Sequence, residues 1–177
     1  MLAEKQTLLS RNDAMNADIH ILWPLYGKNK DILHEYFIPK KNVSQFIHKL
    51  KTHLMTHNIN ILNVTIREVK NDTMSSLPYA KKDAYAIVCF FSQKQTPEDE
   101  EEMKKFTQAV IDDTLTLNRT FHLPYRLHYT AKQLLSSYPE IKRWIELKKK
   151  YDPDSMLQSQ FFVYLNTILN TGAKDAK

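Results

Sequence analysis

Gly27 and Gly172 are the only two glycines in this chain of 177 residues. Where backbone must approach a pyrophosphate closely, or turn through positive φ, glycine is the usual residue. Neither GxGxxG nor GxxxxGK(S/T) can be written from the sequence, which excludes the dinucleotide-binding and P-loop folds. Any flavin or nucleotide chemistry that the chain serves must draw its phosphate cradle from elsewhere.

The remaining patterns are those of one small domain. Leu33 to Ile38 reads as a strand ended by Pro39. Val43, Phe46, Ile47, Leu50 and Leu54 recur at helical spacing, with Asn42 placed to cap and Gln45 three residues on. Leu62, Val64 and Ile66 alternate with Asn63, Thr65 and Arg67, which predicts a strand with one apolar and one polar face. Ala84 to Phe91 is apolar on both parities, as a strand covered on both sides would be. Thr96, Pro97, Glu98 and Asp99 form a helix start with a hydroxyl cap, an early proline and acids at the positive end of the dipole. Met103, Phe106 and Val110 give that helix its buried stripe. A last strand is predicted from Phe121 to His128, with Pro124 favouring an edge or a bulge. Thr130 and Pro139 then open two further helices.

The order strand, helix, strand, strand, helix, strand predicts an α+β fold in which an antiparallel sheet carries helices on one face, in a ferredoxin-like arrangement. Residues 1–30, including Trp23, Pro24 and Gly27, lack sustained periodicity and read as a linker or interdomain arm. The domain is expected over 31–170, and 171–177 as a disordered tail.

The net charge is +5, but Lys28, Lys30, Lys40, Lys41, Lys49 and Lys51 are scattered among acids. Lys148, Lys149 and Lys150 read as the solvated end of a helix, so no nucleic-acid stripe is expected. Cys89 is the only cysteine and lies in the doubly apolar strand, where it should be an inert core residue. A lone thiol fits a reducing compartment, with cytoplasm as the default. Met1 to Ser10 lacks a signal pattern and no long apolar run occurs. Peripheral membrane association stays open. His48, His53 and His57 share a helix without a metal-ligand arrangement, and a solvated face is the expectation.

Two groups of residues carry candidate chemistry. The helices of such a sandwich cover one sheet face, so Asn63, Thr65 and Arg67 share the uncovered one, as solvated surface or as a binding roof. The run Leu123 to His128 joins a phenol, a guanidinium and an imidazole in Tyr125, Arg126 and His128, groups able to orient a hydroxylated substrate, hold an oxyanion or move a proton. Composition alone reads that run as an edge strand with ordinary surface polars.

Several ordered blocks carry a resemblance: His34-Glu-Tyr-Phe-Ile-Pro39, Asn63-Val-Thr-Ile-Arg67, Asp83-Ala-Tyr-Ala-Ile-Val88, Leu123-Pro-Tyr-Arg-Leu-His128 and Lys150-Tyr-Asp-Pro-Asp154. Over about residues 30 to 165 the chain resembles the C-terminal cap, or substrate, domain of FAD-linked oxidases of the vanillyl-alcohol oxidase type, such as the alditol and aldonolactone oxidases.

In that family an N-terminal domain binds FAD, and the cap's sheet roofs the isoalloxazine ring. The resemblance therefore implies FAD as cofactor, the FAD-binding domain of the same enzyme as partner, and a small polyol or lactone-like substrate. It assigns substrate-side catalytic roles to Arg67, Arg126 and His128, the two basic residues of the Leu123 to His128 run being expected on the same sheet face as Arg67. Asn63, Thr65 and Tyr125 become substrate contacts, and Ser159 stands where the family has an asparagine near the flavin. Thr65 occupies the acidic position of the family's Glu-Ile-Arg block, and Leu123 and Pro124 replace a histidine and a tryptophan. Without the blocks, the better reading is a free-standing ferredoxin-like binding module that catalyses nothing.

Overall fold

The computed structural model describes residues 29–171. Strand β1 (Asn29–Ile38) passes through Pro39 and a single 3-10 turn into α1 (Val43–Thr56), followed by β2 (Ile61–Val69) and β3 (Ala84–Lys94). Helix α2 (Pro97–Thr116) leads to the short β4 (Thr120–Phe121), and α3 (Ala131–Ser137), α4 (Ile141–Tyr151) and α5 (Gln160–Thr171) complete the chain. The sheet order is β2-β3-β1-β4, with every neighbouring pair antiparallel. This is the ferredoxin-like arrangement that the alternation of periods predicts.

Residues directly opposite across an antiparallel pair share a face, so the register sorts the side chains. His34, Cys89 and Val64 form one row, and Tyr36, Ile87 and Ile66 the next. These rows face the helices. The His34 ring lies 5.1 Å from Phe91, and Phe91 lies 5.5 Å from Phe106 of α2. Phe46 and Leu50 of α1, and Met103, Phe106 and Val110 of α2, close over them at the expected positions. Leu134, Ile141 and Leu165 bring the last three helices into the same core. Each such side chain contributes roughly 1.5–3 kcal/mol by leaving water. Val64 and Ile66 are still exposed, because β2 is the edge strand beyond the helices' reach.

The helix starts follow their local chemistry. Thr96 accepts a hydrogen bond from Asp99 N–H at 3.2 Å, with Pro97 as the first helical residue. Thr130 and Gln133 form a full capping box on α3. Asn42 does not cap: its side chain reaches Gln45 instead, and the 3-10 turn Lys40–Asn42 leads into α1. His48 is exposed, as a solvated helix face predicts, but His53 and His57 depart from it. His53 bonds Asp113 at 2.9 Å and His57, just past α1, bonds Glu102 at 2.6 Å, tying α1 to α2.

Two boundaries move. Asn29 and Lys30 belong to β1 and not to the arm, whose remainder lies outside the described residues, as does the tail from 172 on. The last strand also stops early, since β4 holds only Thr120 and Phe121, where a strand to His128 was expected. Among the described residues no helix is long and apolar enough to cross a membrane.

Candidate functional site on the free sheet face

The opposite rows of the sheet carry Asn63, Phe90 and Leu33, then Thr65, Val88 and Glu35, then Arg67, Ala86 and Phe37. Among the described residues, no helix covers this face. On the central strand its side chains shrink to methyl groups at Ala84 and Ala86, both fully buried. That lets Phe37 and Val69 close in over the strand as a small second core. Tyr79, from the β2–β3 loop, stacks on Phe37 with ring centroids 4.8 Å apart. The Thr120 hydroxyl donates to the Tyr79 carbonyl and so fixes that loop against β4.

Above this apolar patch lies a cavity of about 350 Å³, lined by Glu35, Phe37, Arg67, Tyr79 and His122 among others. Arg67 Nη2 donates to Glu35 Oε1 at 3.4 Å. The arginine side chain is 57% exposed and the carboxylate only 10%. Burial raises the Glu35 carboxyl above its ordinary value, and the Arg67 charge pulls it back in part. His122 is set by one backbone bond that prolongs the sheet, its N–H donating to the Glu35 carbonyl at 2.8 Å. Its Nδ1 is buried with no hydrogen-bond partner, and burial lowers its pKa. A neutral imidazole therefore stands beside a carboxylate and a guanidinium. Together they can donate to a substrate oxygen, accept from a hydroxyl and take up a proton.

The structure divides the residues singled out from sequence. Asn63, Thr65 and Arg67 share the free face, and Tyr125 joins them indirectly by packing, tilted, on the His122 ring with centroids 4.2 Å apart. Arg126 and His128 do not lie with them. Their expected placement beside Arg67 is corrected: both turn to the helix side, where Arg126 forms an ion pair with Glu100 of α2 and His128 Nε2 meets the same carboxylate at 2.9 Å. His128 is buried, and its Nδ1 faces the Thr107 hydroxyl at 3.3 Å. Strand parity misplaces them because the strand ends at Phe121, so alternation has no hold on residues 126 and 128. Ser159 stands at the start of α5, where its hydroxyl accepts from Phe162 N–H at 3.1 Å and caps the helix. Cys89 is buried in the core, where desolvation pushes its thiol up to about 12.

Sequence reasoning missed Glu35, Tyr79 and His122. Glu35 sits in a run otherwise read as strand core, and its polar side chain on the opposite parity from His34 and Tyr36 was the available signal. A larger groove of about 780 Å³ lies around Asn29, His57, Asn60 and Gln93, but it holds none of the sequence-derived candidates.

Fold and cavity define a class: a ferredoxin-like sandwich whose described helices leave one sheet face free, furnished with a charged pair and an imidazole. Residues 11–165 match the family model of D-arabinono-1,4-lactone oxidase, and the chain belongs to that family. It is thus an oxidase-type module of the lactone and alditol oxidases, within the oxidoreductases. No curated protein matches the chain.

Proposed function

We propose that the chain is the substrate-side cap of an FAD-dependent oxidoreductase that oxidises a CH–OH group of a small polyol or lactone-like molecule. The observation that carries this reading is the cavity on the free sheet face, where Arg67, Glu35 and His122 converge above Phe37 and Tyr79. The same face fits one side of a planar flavin ring: Leu33, Val88 and Phe90 are partly exposed apolar side chains, and Asn63, Thr65 and Arg67 offer polar groups beside them. It does not fit the diphosphate, for which a chain with two glycines has no cradle. The FAD-binding domain is accordingly the partner against which this face closes.

When bound, FAD supplies the hydride acceptor, and the protein supplies orientation and charge. Arg67 donates to a substrate oxygen and Glu35 accepts from a hydroxyl. His122, held neutral by burial, is the group suited to take the carbinol proton. Phe37 and Tyr79 keep water from the apolar side of the cavity.

The test joins the chain to its FAD domain and follows anaerobic flavin reduction by stopped flow. Arg67→Ala is expected to slow reduction on the order of 10²-fold, because a misplaced substrate costs about that much, with flavin content unchanged. Reduction at the wild-type rate would sink the assignment.

A further inference from the structure

The sheet ladder gives out just where the cavity needs its last wall. β4 pairs two residues with β1, and the His122 N–H bond to the Glu35 carbonyl prolongs that pairing by one step. Beyond it, side chains of α2 hold the segment in place of a strand partner. The Glu100 carboxylate accepts from Arg126 Nη2 at both oxygens, bonds His128 Nε2 at 2.9 Å, and accepts from Gln93 Nε2 of β3 at 3.1 Å. Gln108 Nε2 donates to the His128 carbonyl at 2.7 Å. Glu100 itself stands in the first turn of α2, which Thr96 caps, so the carboxylate is carried on a rigid mount.

Between the end of the ladder and this clamp lie His122 and Tyr125. The His122 ring has a buried, unpartnered Nδ1, and its packing is against Tyr125 at 4.2 Å and Tyr79 at 6.4 Å. Tyr125 in turn adjoins Arg126, the residue that Glu100 grips. We propose that Glu100 is a positioning residue for the sheet-face cavity: by holding Arg126 and His128 on the helix side, it sets His122 and Tyr125 against the other face.

A carboxylate is the group suited to this task, because its two oxygens take charge-assisted hydrogen bonds from Arg126 Nη2 while Oε1 also meets His128 Nε2. Burial raises the Glu100 pKa, but the His128 hydrogen bond, the Arg126 charge and the Gln93 bond bring it net below the ordinary value. It is therefore ionised at neutral pH. The role rests on the cap reading only in its consequence for catalysis; the mechanical claim concerns this chain alone.

The experiment compares the wild-type 177-residue chain with Glu100→Gln, Glu100→Asp and Arg126→Lys by NMR of the histidine and tyrosine rings. Glu100→Gln is expected to shift and broaden the ring signals of His122 and Tyr125, while the core signals of Ile87 and Leu165 stay in place. Glu100→Asp, which keeps the charge, is expected to recover part of the wild-type pattern. Arg126→Lys, which keeps the charge but loses the Nη2 that reaches both Glu100 oxygens, should disturb the same two rings and serves if Glu100→Gln does not fold. His122 and Tyr125 signals that stay at wild-type positions, while those of His128 move, would overturn the proposal. In the FAD-joined enzyme, Glu100→Gln is expected to lower kcat/KM on the order of tenfold or more, with Glu100→Asp intermediate. If Arg67→Ala leaves flavin reduction untouched but Glu100→Gln still moves the two rings, the cap reading fails and the positioning role stands.

Discussion

Removing the guanidinium of Arg67 should destabilise the chain at neutral pH and leave it nearly unchanged in acid. Two opposite unit charges about 4 Å apart near a protein surface attract by ~4 kcal/mol. Arg67 is 57% exposed, however, so solvent screening and the ordering of its long side chain reduce the net contribution to ~1 kcal/mol. Its partner is different. Glu35 is 10% exposed, and burial raises its carboxyl above the ordinary value of 4.5. A raised carboxyl binds its proton more tightly folded than unfolded, so its ionisation opposes folding. That penalty is absent below the ordinary carboxylate pKa, grows as pH rises past it, and is complete above the raised folded-state value. Arg67 offsets the penalty only where Glu35 is charged. Arg67→Ala is therefore expected to lose ~1 kcal/mol at about pH 7, or roughly 2–4 °C in Tm for a domain of this size, and little at about pH 4. Adding Glu35→Gln should restore the neutral-pH loss, a coupling of ~1 kcal/mol in a double-mutant cycle. Thermal unfolding followed by circular dichroism at the two pH values decides it. Equal losses at both, or additive substitutions at neutral pH, would refute the pairing.

Other outcomes follow from the core. Phe106→Ala removes a ring packed on both His34 and Phe91 and should cost ~3–5 kcal/mol, measured by urea unfolding; a loss under ~1 kcal/mol would mean that the helix layer does not pack as described. Cys89, fully buried and with its thiol pushed up to about 12, should react with a thiol reagent at about pH 8 only after unfolding; labelling of the native chain at the unfolded rate would contradict its place in the core.

Much of the fold was legible because it depends on local periods. Helical spacing of Phe46 and Leu50, the Thr96-Pro97 start and the alternation from Asn63 to Arg67 each act within a turn or a strand, so the sequence alone ordered the elements and put Arg67 away from the helices. The partners of Arg67 were not legible. Glu35 comes within 3.4 Å of it because β1 and β2 flank β3 in the order β2-β3-β1, which brings residues 32 apart in the chain onto one side of one sheet. His122, which completes that cavity, owes its place to the short β4. For Arg126 and His128 the tertiary structure overruled parity. Parity is a property of paired backbone, and past Phe121 the chain follows the carboxylate of Glu100 on α2 and not a neighbouring strand. A sequence read locally determines which way a side chain points while its strand lasts; where the strand ends, only the three-dimensional placement of a distant charge decides it.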